Sequence, residues 1–254
     1  MRFGLQRCMC HPHERRYLAD PIEVEILLVQ LGETLVEQIW DPLRPRTFIR
    51  TTYLDTPDLE YLAWHEAELP RSVRVRRYAT AGPDGHMELA DPCVLELKES
   101  SETDRRKLRI PLPPALVPEL IAGRDDLLYY VEPELLEVAA LTGVAEQLRE
   151  RRLAPTITTW CRRRSFLADG GCVRLTIDQR ICYGHACRAD LDGDCPRPAR
   201  IFRRADPMIV EVKWRGDRPI WLLEALAPIS SATAFTKYRS GMELSAHALA
   251  RLAA

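Results

Sequence analysis

Charged side chains alternate with aliphatic ones in five short stretches of the sequence. In Arg74-Val75-Arg76, the two-residue period of a β-strand puts both guanidinium groups on one face and the valine on the other. The same alternation of charged and aliphatic residues occurs at 95–98, 107–110, 174–178 and 210–213. A chain that repeats this pattern is expected to fold around a sheet with one apolar face and one charged face.

The wider pattern predicts a β-rich domain. Alternation and β-branched content predict eight strands, at residues 12–18, 46–54, 71–79, 92–99, 106–112, 155–167, 172–179 and 207–214. Helical periodicity occurs at 21–31, 134–151, 220–227 and 240–253. In the first helix, Ile22, Ile26 and Val29 share a face. Because strands and helices do not alternate strictly, we expect an α+β fold: a mainly antiparallel, eight-stranded β-barrel tunnel with flanking helices, closed or nearly closed.

Length and composition indicate one domain. The chain has 254 residues, of which 46% are hydrophobic and 29% charged, and it contains no low-complexity tract or Gly/Ser linker. We therefore predict a single domain over 1–254, with 1–11 as a loose N-terminal segment. No apolar run approaches the roughly 18 residues of a membrane-spanning helix, and MRFGLQRC lacks the apolar core of a secretion signal. These features predict a cytoplasmic protein without membrane insertion.

Two clusters contain residue types that bind metals, but their spacing is unusual. The cysteines are dispersed, without a Cys-x-x-Cys pair, so we predict that they are reduced. The N-terminal cluster does not match zinc-finger spacing, which makes a structural zinc site the less favoured alternative; it consists of Cys8, Cys10, His11 and His13. The second cluster has its glycine at the wrong offset for a calcium loop and is interpreted as a solvated acidic turn; it consists of Asp190, Asp192 and Asp194.

The charged face is predominantly cationic, although the formal net charge of the chain is -1. A solvent-exposed face would mix the two signs more evenly. If the face points into a barrel, its guanidinium and ammonium groups form a lining that is costly unless a polyanion such as phosphate neutralises it. Glu96 and Glu211 are then candidate ligands of a divalent metal, and an ion pair with a neighbouring cation is the alternative for each. Asp178 is assigned a structural role.

A series of motifs follows in a fixed order between residues 12 and 242. They are Arg50–Leu59, Arg74–Tyr78, Leu95–Lys98, Lys107–Arg109, Arg163–Phe166, Val173–Asp178, Ile209–Lys213 and Phe235–Tyr238. Each motif is weakly specific alone, but their order and spacing together are strongly specific. The series resembles the motifs of the VTC-type polyphosphate polymerase domain, a branch of the CYTH or triphosphate tunnel metalloenzyme superfamily.

The resemblance implies a tunnel in which the terminal phosphoryl group of ATP is transferred to a growing polyphosphate chain with Mn²⁺ or Mg²⁺. By motif, it assigns the catalytic phosphate contacts to Arg74, Arg76, Lys98, Lys107, Arg163 and Arg174. Further substrate contacts are assigned to Arg16, Arg109, Lys213 and Lys237. Glu211 matches the metal-binding glutamate of the family, and Glu96 is the second metal candidate. Arg16 stands where the family has a lysine, which keeps the charge but changes the geometry.

Two further positions depart from the family pattern, and one segment is similar to the pattern of another branch. Cys161 stands where a tunnel tyrosine is usual, and Ala234 replaces a lysine of the eukaryotic members. The segment 23–25, Glu-Val-Glu, is similar to the first-strand signature of the hydrolytic branch. Leu27 stands at its lysine position and the segment is predicted to be helical, so the similarity is interpreted as coincidence.

Other functions compete with polymer synthesis. A triphosphate or polyphosphate hydrolase needs a carboxylate that orients water, and the first strand offers Glu14. A non-catalytic polyphosphate-binding module would keep the cations without a working metal site. Nucleic acid is not an expected partner, because no aromatic residues are interleaved with the basic ones. The expected ligands are ATP and polyphosphate or another triphosphate, and the sequence identifies no protein partner.

Overall fold

The computed structural model describes residues 13–66, 71–91, 93–100, 105–122, 124, 148, 150–193, 197–198, 200–229 and 235–253. Several predictions concern residues outside these ranges: the segment 1–11 with most of its Cys/His cluster, Asp194, Ala234 and nearly all of the helix 134–151. The assignment of one domain over 1–254 stays a prediction.

Eleven strands are present among the described residues. They are β1 His13–Ala19, β2 Val36–Glu37, β3 Arg46–Asp55, β4 Ser72–Ala81, β5 Met87–Leu89, β6 Cys93–Ser100, β7 Arg105–Leu112, β8 Ala154–Ala168, β9 Val173–His185, β10 Ile201–Ala205 and β11 Met208–Trp214. The helices are α1 Pro21–Gln30, α2 Glu60–Glu66, α3 Leu116–Ile121, α4 Ala189–Asp192, α5 Ile220–Leu226 and α6 Lys237–Ala253. Each of the eight predicted strands corresponds to an observed one, and α6 begins before its predicted start at 240.

All strand pairs are antiparallel and form one sheet in the order β1-β11-β9-β8-β3-β4-β6-β7. The short strands extend it at three places, where β10 pairs with β9, β2 with β8 and β5 with β4. The α+β, mainly antiparallel tunnel fold is therefore confirmed. Within the described ranges, β1 and β7 are the two ends of the path and do not pair with each other.

The sheet is strongly curved. The face that bears Arg74 and Arg76 is called the inner face below, and the opposite face is the outer face. Six strand spacings separate β1 from β6 along the path, which is about 28 Å in a flat sheet. The positive charges of Arg16 on β1 and Lys213 on β11 nevertheless contribute to lowering the pKa of Lys98 on β6. The two ends of the sheet therefore face each other across the inner space.

Apolar side chains cover both faces of the sheet. On the outer face, one core lies under α2 and α3 and includes Val73 and Val75, and a second lies under α1 and α5. The inner face is apolar at one end only, where α6 lies against Ile49, Tyr53 and Ile157. The helix therefore covers one part of the inner face and leaves the charged part uncovered. No helix within the described ranges is both long and apolar enough to span a membrane.

Helix α1 begins where the sequence predicted, but its orientation differs from the prediction. The Asp20 side chain accepts hydrogen bonds from the backbone of residues 22 and 23, and Glu23 completes a capping box. The face that was predicted from periodicity points to solvent, with Ile22 70%, Ile26 51% and Val29 81% exposed. Apolar residues lie on both sides of this helix, so periodicity could not identify the buried side, which contains Val24 and Leu27.

The predicted solvated turn around Asp190 is also corrected. Asp190 belongs to α4 and is only 1% exposed. Its carboxylate accepts a hydrogen bond from the backbone nitrogen of Cys187 at 2.9 Å. A buried carboxylate requires such partners, so this aspartate stabilises the turn instead of facing water. Asp192 is partly exposed and forms an ion pair with Arg188.

Candidate active site

The inner face collects every residue that was predicted to bind substrate or metal. Alternation within each strand directs the strand residues inward, and the antiparallel register sets them side by side. Lys237 reaches this face from α6, where it contacts Asp178. Arg74 lies opposite Glu96, which lies opposite Arg109. In the same way, Lys98 lies opposite Lys107. The remaining cross-strand pairs are Arg174 with Lys213, Lys213 with Glu14, Arg16 with Glu211, and Arg163 with Asp178.

Glu96 is a fully buried carboxylate surrounded by cations. Its oxygens lie 2.7 Å from Arg74 Nη2, 3.4 Å from Arg76 Nη1, 3.5 Å from Lys107 Nζ and 3.0 Å from Arg109 Nε. Burial alone would raise the pKa of Glu96, but the four positive charges hold it well below its usual range. These contacts are ion pairs, which were the predicted alternative to metal binding by Glu96. A metal role for Glu96 stays a prediction.

Glu14 and Glu211 form a carboxylate pair at the other side of the inner face. Arg16 Nε lies 3.1 Å from Glu211, and its Nη2 contacts Glu14. Lys213 Nζ lies 2.9 Å from Glu14 and 3.2 Å from Glu211. Burial raises the pKa of each carboxyl group, but Arg16 and Lys213 outweigh burial and keep both pKa values low. Both carboxylates are therefore ionised at neutral pH.

The carboxylate pair has the donor type that suits Mg²⁺ or Mn²⁺. Magnesium is commonly bound by one or two carboxylates together with substrate phosphates, and Glu14 and Glu211 supply such carboxylates. Within the described part of the chain, no group of three or more His, Cys, Asp and Glu side chains could hold a metal. Glu211 was predicted as a metal ligand from the sequence, whereas Glu14 was considered only as a residue of a hydrolase. The signal for Glu14 was its spacing of two from Arg16, which places both on the same face.

A third carboxylate, Asp178, binds two residues that were predicted to contact phosphate. Its two oxygens accept hydrogen bonds from Arg163 Nε and Nη2, both at 2.6 Å, and it also contacts Lys237 Nζ. Lys237 is the first residue of α6 and lies 3.3 Å from Cys161 Sγ. Burial would raise the pKa of Asp178, but Arg163 and Lys237 lower it far more. These contacts agree with a structural role for Asp178, because it joins α6 to the sheet.

Two lysines of this face have lowered pKa values. Burial lowers the pKa of Lys98 to about 8, and the charges of Arg16, Arg74 and Lys213 add to the effect. Burial also lowers the pKa of Lys107 to about 8, although Glu96 partly opposes it. An anion bound beside them would favour their charged forms. A bound anion beside Lys98 and Lys107 would therefore offset the cost of their burial.

One motif residue away from the charged part of this face connects two helices. The Asp55 carboxylate accepts hydrogen bonds from the backbone nitrogens of Thr56, Tyr61 and Leu62 at 2.7, 2.9 and 3.0 Å. The hydroxyl of Tyr238 also donates to it. Asp55 thus links the start of α2 to α6 and fixes the position of Lys237, the neighbour of Tyr238.

Comparison with solved structures identifies the same type of fold. A proposed adenylate cyclase from Bacillus halodurans superposes with a TM-score of 0.52 at 13% identity, over 89% of this chain and 95% of that one. A proposed adenylyl cyclase from Hippeastrum with a dominant triphosphatase activity gives a TM-score of 0.49 at 14% identity, over 91% and 94% of the two chains. The PH1819 protein from Pyrococcus horikoshii OT3 gives 0.42 at 11%, over 91% and 99%. Only the first superposition is close enough to support the fold, and at this identity it shows the fold alone.

Sequence comparison places the chain in a family. No protein with a curated function is significantly similar to it in sequence. The model of the VTC domain family, in contrast, matches residues 12–246. This range includes every strand of the sheet and every charged residue described on its inner face. The chain therefore belongs to the VTC domain family.

Proposed function

We propose that this protein is a metal-dependent polyphosphate polymerase that transfers the terminal phosphoryl group of ATP to a growing polyphosphate chain. The observation that carries the proposal is the inner face itself, where arginines and lysines from seven sheet strands and α6 meet a smaller number of carboxylates. Cations gathered in a partly buried space require anions for compensation. Membership of the VTC domain family agrees with phosphate chains as those anions.

The arginines around Glu96 are suited to holding phosphate groups. Arg74 and Arg76 extend from one strand, and Glu96 fixes both guanidinium groups. A guanidinium group contacts phosphate oxygens bidentately, so arginines that are already oriented lose little freedom on binding. Lys98 and Lys107 supply compact charges beside them. Together these four residues would align the triphosphate and stabilise charge that develops during transfer.

Glu14 and Glu211 are the residues that would hold Mn²⁺ or Mg²⁺. When bound, the ion would neutralise negative charge on the phosphate oxygens while the bond between the γ-phosphorus and the bridging oxygen breaks. Arg16 and Lys213 keep both glutamates ionised and oriented. Their contacts also limit the freedom of Glu14 to act as a base.

The proposed reaction needs no protein nucleophile, because an oxygen of the acceptor phosphate attacks the γ-phosphorus. The bond between that phosphorus and the bridging oxygen of ADP breaks, and ADP leaves. The cations of the inner face would attract an anionic acceptor more strongly than neutral water. A hydrolase on the same scaffold is the second candidate, because Glu14 lies on the inner face where it could orient water. Its ion pairs with Arg16 and Lys213 favour the polymerase.

Incubation with ATP and Mn²⁺ tests the proposal when ADP, acid-labile polymer and free phosphate are measured separately. We expect ADP and polymer to accumulate together, and added short polyphosphate to remove an initial lag by serving as primer. Release of one free phosphate per ADP, without polymer and without an effect of primer, would replace the polymerase by the hydrolase. Binding of ATP without any product would indicate the non-catalytic module.

A further inference from the structure

A second group of cations lies on the outer face of the sheet, away from the candidate active site. Arg163 points inward, so its neighbours Arg162 and Arg164 on β8 point outward. In the adjacent strands, Arg46 precedes Thr47, which lies opposite Arg163, and Arg180 follows Gln179, which lies opposite Arg162. These residues, Arg46, Arg162, Arg164 and Arg180, are called the outer arginine cluster below.

The register of β3, β8 and β9 places the four guanidinium groups in one part of the outer face, where their charges act on one another. Burial lowers the pKa of Arg162, and the charges of Arg164, Arg180 and Arg46 lower it further. Two carboxylates oppose them. Glu37 pairs with Arg164 through contacts of 2.9 and 2.8 Å, and the charge of Glu25 also acts on Arg164. Within the described ranges, Arg46, Arg162 and Arg180 have no carboxylate within 4.0 Å. The cluster therefore has a local excess of positive charge in a chain of net charge -1.

Two structural details set this cluster apart from an ordinary solvated surface. Arg180 has a φ of 54°, a left-handed conformation that is unfavourable for arginine by roughly 1–2 kcal/mol. It lies beside the irregular register between Trp160 and Arg162. In addition, the Nη2 nitrogen of Arg46 is buried without a hydrogen-bond partner. Buried donors normally have a partner, so this nitrogen points to an additional acceptor.

The positive charge continues across β10. Arg204 lies opposite Cys182 in the pairing of β10 with β9, and the charges of Arg204 and Arg197 act on the Cys182 thiol. From β3 across β8 and β9 to β10 there are three strand spacings, or about 15 Å. An extended anion could contact several arginines along this path, whereas a single phosphate ion could contact only one or two.

Two buried aromatic rings lie on the outer face next to the cluster. Phe48 and Trp160 stack with their ring centroids 5.1 Å apart, and they are 9% and 5% exposed. Buried rings cannot stack on nucleic acid bases, which single-strand binding proteins use for affinity. The outer arginine cluster therefore offers positive charge along an extended path without an exposed surface on which these rings could stack bases.

We propose that the outer arginine cluster is a second binding site for inorganic polyphosphate, separate from the inner face and able to hold a long chain on the outside of the sheet. The identity of the ligand as polyphosphate rests on the proposed function. The existence of the outer site rests on the arginines of the cluster and does not depend on the proposed function. A chain held outside would remain near the enzyme while its end occupies the inner face. Such tethering raises the effective concentration of the acceptor end.

Binding of labelled long-chain polyphosphate, without ATP or metal, tests the site. The inner double variant Arg74→Ala/Arg76→Ala isolates outer binding, and Arg162→Gln with Arg180→Asn removes two cluster charges, since asparagine tolerates a left-handed φ. In the inner-variant background, we expect the outer substitutions to weaken binding of the long chain about tenfold. The matched control, Arg15→Gln/Arg152→Gln, removes two exposed arginines from elsewhere and should change affinity less than twofold.

Short ligands separate this proposal from the proposed function. On an otherwise wild-type chain, the outer substitutions should leave tripolyphosphate binding and the initial rate with ATP and Mn²⁺ unchanged. Long-chain binding that is equal in the outer variant and in the control would overturn the second site and leave the polymerase proposal intact. Single-stranded DNA of equal charge that competes as well as polyphosphate would overturn the identity of the ligand.

Discussion

At the residue scale, Glu96 shows how one carboxylate can orient several cations. It is fully buried and contacts cations from β4 and β7 on both sides of its own strand. Without it, four positive charges would repel one another across neighbouring strands. With it, the guanidinium groups are oriented but still outnumber the negative charge. In the proposed function, a phosphate group would bind to these cations while Glu96 keeps its contacts.

The metal assignment predicts an uneven effect of Glu211→Gln. The substitution keeps the shape of the side chain and removes the charge that would bind the ion. We expect turnover with ATP at limiting Mn²⁺ to fall at least about a hundredfold, while tripolyphosphate affinity in the absence of metal is unchanged or higher. Excess Mn²⁺ should restore part of the rate. Normal turnover at limiting metal would show that Glu211 serves only as an ion-pair partner of Arg16 and Lys213.

The two lysines with lowered pKa values predict a pH dependence of anion binding. Lys98 and Lys107 lose their positive charge as pH rises through about 8. Binding that requires both charges is complete below this range and weakens above it, by about tenfold per lysine between pH 7 and pH 9 when the bound pKa lies above 9. Titration of tripolyphosphate affinity with pH measures the effect.

Lys98→Arg with Lys107→Arg provides the control for that titration. Arginine stays charged over the whole range, so the part of the pH dependence that comes from the protein should disappear. The part that comes from ionisation of the phosphate ligand should remain. An identical pH profile in both proteins would mean that neither lysine contacts the ligand.

At the element scale, α6 connects the apolar end of the inner face to its charged part. Tyr238 stacks on Tyr53 with ring centroids 5.0 Å apart and donates to Asp55, and the preceding residue, Lys237, contacts Asp178. The first turn of α6 thus contains both Tyr238, which binds Asp55, and Lys237, a cation of the candidate active site. The position of Lys237 depends on how firmly this turn is bound to the sheet.

We expect Tyr238→Phe to destabilise the protein by about 1–3 kcal/mol, because Asp55 loses a buried hydrogen bond while the ring packing is retained. Urea unfolding measures the change. Tyr53→Phe is the matched control, since it removes a hydroxyl from the stacked partner without removing a hydrogen bond to Asp55. Equal unfolding free energies for the two variants would show that the contact with Asp55 contributes nothing measurable.

At the scale of the whole molecule, the two ends of the sheet approach each other without pairing within the described ranges. The cations of β1 and β11 face those of β6 across the inner space. Repulsion between these cations opposes closer approach of the two ends. A polyanion between them would attract the cations of both ends and offset that repulsion. Ligand binding is therefore expected to stabilise the fold as a whole.

Tripolyphosphate at a hundred times its dissociation constant should stabilise the wild-type protein by about 2.7 kcal/mol. The expected observation is a rise in the thermal unfolding midpoint that increases with ligand concentration and decreases with added salt. Arg74→Ala/Arg76→Ala should abolish the rise, and Arg15→Gln/Arg152→Gln should retain it. A double variant at Arg74 and Arg76 that is stabilised as strongly as wild type would exclude this strand from the binding site.

Much of the fold followed from local periodicity. The period of two placed Arg74 and Arg76 on one face, and the same rule applied to each charged strand, so the members of the inner face could be named before the sheet order was known. The first residues of α1 were also predictable, because Asp20 and Glu23 form a cap within one helical turn. In both cases the relevant interaction joins residues only a few positions apart.

Partnerships between distant residues were decided by the tertiary structure. Glu14 meets Glu211 and Asp178 meets Lys237 only because the strand register and the position of α6 bring them together. The choice of the buried side of α1 likewise depended on the sheet beneath it, since both sides of that helix are apolar. The sequence alone determined which faces carry charge, because side-chain direction repeats along a strand. Only the tertiary structure decided which charges compensate one another, because that depends on contacts between residues far apart in the chain.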